Sequence, residues 1–254
     1  MHPAPSLHRR GLLLGAAAVG GGAVLGALPL TPRTAQASSG FRVYTRANWE
    51  ARPPKAVATV LPTAPDHIVV HHTASENSTD YSLKHAFVLS RAIQNFHMDG
   101  NGWDDTGQQL TISRGGFLME GRNRSLEAIA TRRHVRGAQT LGHNDHTIGI
   151  ENEGTYLTEV PTKRLWWKLA ATCAWLCETY DLDPYEAIVG HRDYVATACP
   201  GDRLYAMLPA LREAVAGIMD VASPRRELRP LRQGTFPVPG TRFDHGPAAA
   251  PGER

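Results

Sequence analysis

Late in the chain, Gly190-His191-Arg192-Asp193 is followed by Thr197-Ala198-Cys199-Pro200-Gly201-Asp202, a loop that leads into a helix and carries an imidazole and a thiol with seven residues between them. Both side chains are good zinc donors, but a zinc site needs at least one more protein ligand. The stretch that offers it is Val69-Val70-His71-His72-Thr73, far upstream. A chain so arranged has to bring an early strand against a late loop, and everything between them builds the walls of one cleft. The spacing alone does not say whether His71 or His72 is the donor, because successive strand residues point to opposite faces.

Other elements follow from local pattern. Asp66 to His72 is β-branched and bounded by proline, a buried strand. Apolar residues at Leu83, Ala86, Phe87 and Ile93 predict a helix from Asp80 to Met98, ended by Asp99-Gly100-Asn101-Gly102. On it, His85 and His97 read as surface or packing histidines. Trp103 to Gln109 reads as a turn, and Leu110 to Glu120 as a hairpin with glycines at its tip. Glu127 to His134 is expected to be a weak strand. Thr147 to Gly154 alternates Ile148, Ile150 and Asn152 with Gly149, Glu151 and Glu153, and a carboxylate beside a glycine is unusual on so apolar a strand. Further helices are expected from Thr162 to Tyr180 and from Asp202 to Asp220, the second with Pro200 at its start and Cys199 near its cap, where the helix dipole favours a thiolate. The fold class is α/β, a single mixed central sheet flanked by about three helices.

The ends differ from the middle. Residues 1–37 contain Arg9, Arg10 and Arg33 and no acidic residue. Paired arginines before the Gly/Ala-rich apolar run from Gly11 to Leu30, with Ala35-Gln36-Ala37 as a small-x-small cleavage site, predict an export signal, in form a twin-arginine one. Residues 223–254 are rich in Pro, Arg, Gly and Ala without periodicity and are expected to form a disordered tail. The two ends each carry three net positive charges, which leaves the domain over residues 38–222 at about three negative charges and removes the electrostatic basis for nucleic-acid binding. No stable membrane insertion is expected after processing, and the mature chain is expected to be a secreted or cell-wall monomer. Three cysteines are few for an exported protein. Cys173 and Cys177, on one helix face, read as small buried side chains, and Cys199 as a thiol held by metal.

Thr45-Arg46-Ala47-Asn48-Trp49, Val70-His71-His72-Thr73-Ala74, Gly116 to Arg122, Thr147 to Glu151, and Gly190-His191-Arg192 to Cys199-Pro200-Gly201 together resemble the peptidoglycan recognition protein family, which shares its fold with the phage-lysozyme type of zinc amidase. The resemblance covers about Arg42 to Leu211. It implies one zinc ion on His71, His191 and Cys199, and it separates this chain from members that only bind peptidoglycan, which lack the cysteine. It implies further that Glu151 is the base and that Thr197 steadies the substrate carbonyl. Gln108 stands where similar members carry tyrosine; an amide can donate to an oxyanion but cannot shuttle a proton. His134 and Asn144, with His72 and Trp103, become candidates for contact with the glycan-peptide substrate. The implied activity is that of an N-acetylmuramoyl-L-alanine amidase acting on peptidoglycan, and the competing one is a non-catalytic peptidoglycan-binding module.

Overall fold

The computed structural model describes residues 41–220, 229–238 and 240–250; the expected export signal lies outside them. A six-stranded sheet runs in the order β1-β5-β4-β7-β3-β8, with β1 Val43–Tyr44, β3 His67–His72, β4 Leu110–Ile112, β5 Leu118–Glu120, β7 Thr147–Asn152 and β8 Ile188–Gly190. Neighbours are parallel except β4 and β5, the hairpin read from the sequence. A short β2 (Val60–Leu61) pairs antiparallel with β6 (His134–Val135).

The strands differ in their two faces, and this decides where the site can be. Ile68 and Val70 of β3, Ile148 and Ile150 of β7, and Leu110 and Ile112 of β4 share one core with Leu165, Leu169, Leu176, Leu208, Leu211 and Val215. Those partners belong to α3 (Lys163–Tyr180) and α6 (Leu208–Ile218). Each fully buried aliphatic side chain there contributes roughly 1.5–3 kcal/mol, so this face fixes the sheet. Alternation then commits Val69, His71, Gly149, Glu151 and Thr111 to the opposite face, the side of the cleft.

Caps follow the sequence: Ser82 accepts from the His85 amide to open α1 (Leu83–Asn95), and Thr162 accepts from the Leu165 amide to open α3. Beyond α1 the chain widens into a π-helical turn, Phe96–Gly100. Of the six α-helices among the described residues, α1, α3 and α6 are the long ones. None of the helices there is long and apolar enough to cross a membrane. Cys173 and Cys177 are free thiols buried in the core.

Four expectations are corrected. Most of Glu127 to His134 is not strand: Ser125–Ala130 is α2, whose residues are mostly good helix formers, and only His134–Val135 is extended. The helix expected over 202–220 breaks at Met207 into α5 (Asp202–Ala206) and α6, because Pro209 cannot donate in mid-helix but fits a new first turn. Cys199 does not cap that helix; Gly201 does, after a cis Cys199–Pro200 peptide. Finally, the tail expected to be disordered packs, in its described part, against the domain, with Phe243, His245 and Ala248 buried. It has no helical or strand period because its backbone is held by side chains of the domain instead of by a regular ladder.

Candidate metal centre

Sheet register lines up three cleft residues. His71 of β3 lies opposite Glu151 of β7, and Glu151 opposite Thr111 of β4. All three are buried. His71 Nε2 meets Gln139 Oε1 at 2.5 Å, which turns Nδ1 inward. Gln139 reaches that position because residue 149 is glycine: a Cβ there would lie 2.7 Å from the Gln139 side chain. The glycine that looked out of place beside Glu151 is therefore the seat of the group that orients His71.

β8 delivers His191 at its carboxyl end, where a short 3-10 turn (His191–Asp193) follows. The Asp193 carboxylate accepts from the Gly190 amide at 2.8 Å, and Arg192, stacked on the Tyr205 ring at 4.7 Å, pairs with Asp202 at 2.7 Å and donates to the Cys199 carbonyl. This clamps the loop so that Cys199 Sγ sits 3.6 Å from His71 Nδ1 and accepts from the His72 amide at 3.4 Å. Burial first, then the neighbouring imidazoles, hold His71 and His191 well below the ordinary histidine range. Neutral imidazoles are what a metal requires. Burial likewise pushes the Cys199 thiol up; a bound cation would reverse that, since a coordinating thiol loses its proton.

His71, His191, Cys199 and His245 each offer a ligand atom, and these lie within 4.8 Å of one another. The donors fit a zinc-like ion. The tetrahedron built on bonds of ~2.0–2.3 Å has an edge of roughly 3.5 Å, close to the 3.6 Å between Cys199 Sγ and His71 Nδ1. The histidines also divide their nitrogens as metal ligands do. His191 Nε2 faces the Pro247 carbonyl at 2.9 Å and His245 Nε2 the Glu151 carboxylate at 2.9 Å, while both Nδ1 atoms are buried without a hydrogen-bond partner.

The remaining expected site residues are distributed unevenly. Thr197 is buried beside the cluster, accepting from the Cys199 amide at 3.1 Å and donating to the His245 carbonyl at 2.7 Å. Gln108 donates to the Thr111 hydroxyl at 2.8 Å, one step along the row from Glu151, and its Oε1 is unpartnered. Asn144 holds its own loop through the Gln139 and Thr140 amides and donates to the Ala248 carbonyl at 2.8 Å. Trp103 packs on His97 with ring centroids 4.6 Å apart. His72 stands outside the four-atom cluster and takes the Tyr156 amide at 3.4 Å. His134, on β6, faces the Thr63 carbonyl at 3.2 Å.

Three residues at the site were not legible in the sequence. Gln139 had no pattern to mark it. His97, read as a packing histidine, is fully buried in the π turn; it accepts from the Gly107 amide and sets Nε2 4.0 Å from Glu151. His245 belongs to the segment expected to be disordered, where the Asp244-His245-Gly246 turn was the available hint.

A family model for N-acetylmuramoyl-L-alanine amidase matches residues 61–202, more than half of the chain. The chain belongs to this family, which also takes in the peptidoglycan recognition proteins. Among its relatives, the N-acetylmuramoyl-L-alanine amidase of Sus scrofa is 32% identical over 174 residues, 65% of this chain and 26% of that protein. Peptidoglycan-recognition protein LB of Drosophila melanogaster is 31% identical over 165 residues, 65% of this chain and 66% of that one. The chain thus spans about a quarter of its mammalian relative and under two thirds of the fly protein. Solved structures agree on the fold. Drosophila protein LB superposes with a TM-score of 0.58 at 28% identity, covering 66% of this chain and 93% of the other. A Tyr-to-Phe variant of the same protein, solved in complex with tracheal cytotoxin, matches with a TM-score of 0.58 at 28% identity over 66% and 94% of the two chains.

Proposed function

We propose that this chain is an exported zinc-dependent N-acetylmuramoyl-L-alanine amidase that hydrolyses the amide between the lactyl group of muramic acid and the first alanine of the peptidoglycan stem. The observation that carries the reading is the buried group of His71, His191 and Cys199, with neutral imidazoles and a thiol whose Sγ lies 3.6 Å from His71 Nδ1. Similarity to a protein solved with tracheal cytotoxin supports a peptidoglycan fragment as the ligand.

His71, His191 and Cys199 would hold the zinc, which would supply an acidified water and an electrophile for the scissile carbonyl. The chain's own residues do the rest. Glu151, in register with His71, takes the water's proton and returns it to the alanine nitrogen as the amide breaks. Thr197 donates to the carbonyl oxygen. Gln108, fixed by Thr111, cannot carry a proton, so proton transfer rests on Glu151 alone. Trp103 borders the cavity beside the site, whereas Asn144, His72 and His134 are bonded within the fold and support its walls.

Cys199→Ser is expected to lower bound zinc from one per chain to none and to stop the appearance of free alanine amino termini in a cell-wall digest. Undiminished release by that variant after chelation would end this reading. A recognition module that grips the stem peptide without cutting it is favoured by Gln108 in the tyrosine position, and it would generate no new amino termini at all.

A further inference from the structure

The carboxyl-terminal segment does more than cover the domain. Residues 229–238 run beside the His191–Cys199 loop, where Phe236 stacks on Arg192 at 4.9 Å and the Ala198 amide donates to the Pro237 carbonyl at 2.8 Å. Residues 240–250 then enter the cleft. Phe243 packs against Leu89 and Ile93 of α1, and three carbonyls of the segment are taken by side chains of the site: His245 by Thr197 at 2.7 Å, Pro247 by His191 at 2.9 Å and Ala248 by Asn144 at 2.8 Å. Between them Gly246 passes so close to Thr197 that a Cβ would lie 2.5 Å from its hydroxyl, with φ at +106°.

The His245 ring completes the picture. Its centroid is 4.9 Å from that of His71 and 5.4 Å from that of His191. Nε2 is fixed on Glu151, Nδ1 is buried and unpartnered, and a ring nitrogen lies within 4.8 Å of the ligand atoms of His71, His191 and Cys199. A carboxylate on the far nitrogen is the support a metal-bound imidazole receives.

We propose that His245 is the fourth ligand of the metal held by His71, His191 and Cys199, so that the tail closes the site and keeps the enzyme latent until it withdraws. The latency rests on the amidase reading; the fourth ligand does not. Four protein ligands make a closed site, while a hydrolytic one keeps a position open for water. In the latent form one Glu151 oxygen is engaged by His245, and Thr197 is engaged by a peptide carbonyl. The cavity left beside the segment, bordered by Asn101, Trp103 and Asp244, is about 280 Å³, at the lower limit of the ~300–1,000 Å³ that drug-sized ligands occupy. A glycan-peptide enters only if residues 240–250 leave.

Two full-length variants test this. His245→Ala removes the ligand. Gly246→Val alters no metal-binding or catalytic side chain, but its Cβ and the positive φ are incompatible with the docked segment. Both are expected to weaken zinc in a chelator competition by about tenfold or more and to give the same altered visible spectrum with cobalt(II), as water replaces an imidazole. Both should also speed release of alanine amino termini by about tenfold or more, the factor by which the open fraction grows. Wild-type zinc affinity and cobalt spectrum in His245→Ala overturn the fourth ligand. A wild-type chain as fast as Gly246→Val overturns the latency. If zinc weakens as expected but no protein releases amino termini, the fourth ligand stands and the amidase reading falls.

Discussion

At the scale of single residues, the candidate metal centre depends on a glycine. Gly149 is buried on β7, where any other residue would drive Gln139 off His71 Nε2. The ligand itself stays in Gly149→Ala, but its ring loses the partner that sets its tautomer and direction, and loss of such support lowers metal affinity about 10–100-fold. Chelator competition reads this directly; unchanged zinc affinity in Gly149→Ala would mean that Gln139 does not orient His71. The same pair marks the limit of reading residues from a sequence. The oddity of a glycine next to Glu151 was visible, and so were the candidate donors His191 and Cys199 in their short motif, while between His71 and His72 the spacing left the choice open and the family resemblance pointed to His71. Gln139 was not, since it acts from a loop with no period, and neither were His97 and His245, whose importance arises only when their loops fold onto Glu151.

At the scale of elements, β8 is three residues long and yet must deliver His191 accurately. It lies at the sheet edge, paired to β3 alone, and α6 provides the second support. Arg212 is buried on α6 and donates from both Nε and Nη2 to the Ile188 carbonyl, at 3.0 and 2.8 Å. Arg212→Met keeps much of the packing but leaves that carbonyl without the guanidinium, at a cost of about 1–3 kcal/mol. A urea titration should show the midpoint falling with an unchanged slope. A midpoint equal to wild type would show that β3 alone holds the edge strand. Strands β3 and β7 and helices α1 and α3 were legible because they carry a strong period or a cap. α2 and the α5–α6 break were misread because a six-residue helix is too short to display a period and Pro209 interrupts an otherwise continuous stripe.

At the scale of the whole molecule, the sheet sets an apolar face against α3 and α6 and turns a polar one toward the cleft, so the domain buries many imidazoles. Alternating residues made this division readable in advance; what covers the polar face was not, because the tail is held by scattered side-chain contacts. The burial has a consequence for stability. His72 is held at about 3 instead of 6.5, His97 well below 6.5, and His134 below it, burial being the first cause each time. A histidine depressed in the fold favours folding only while it is neutral. Above about pH 6.5 the folded and unfolded chains bind equal numbers of protons at these sites; below it the unfolded chain binds more, and stability falls. Each strongly depressed histidine loses roughly 2 kcal/mol between pH 7.5 and pH 5. The carboxylates held low, Asp66, Asp80, Asp99 and Glu127, start from ordinary values of 3.8 to 4.5 and lose their contribution only as pH falls below that range. The two windows are therefore separable. The urea midpoint of the metal-free chain is expected to drop between pH 7.5 and pH 5, and a flat profile over that interval would contradict the burial of neutral imidazoles in the folded chain.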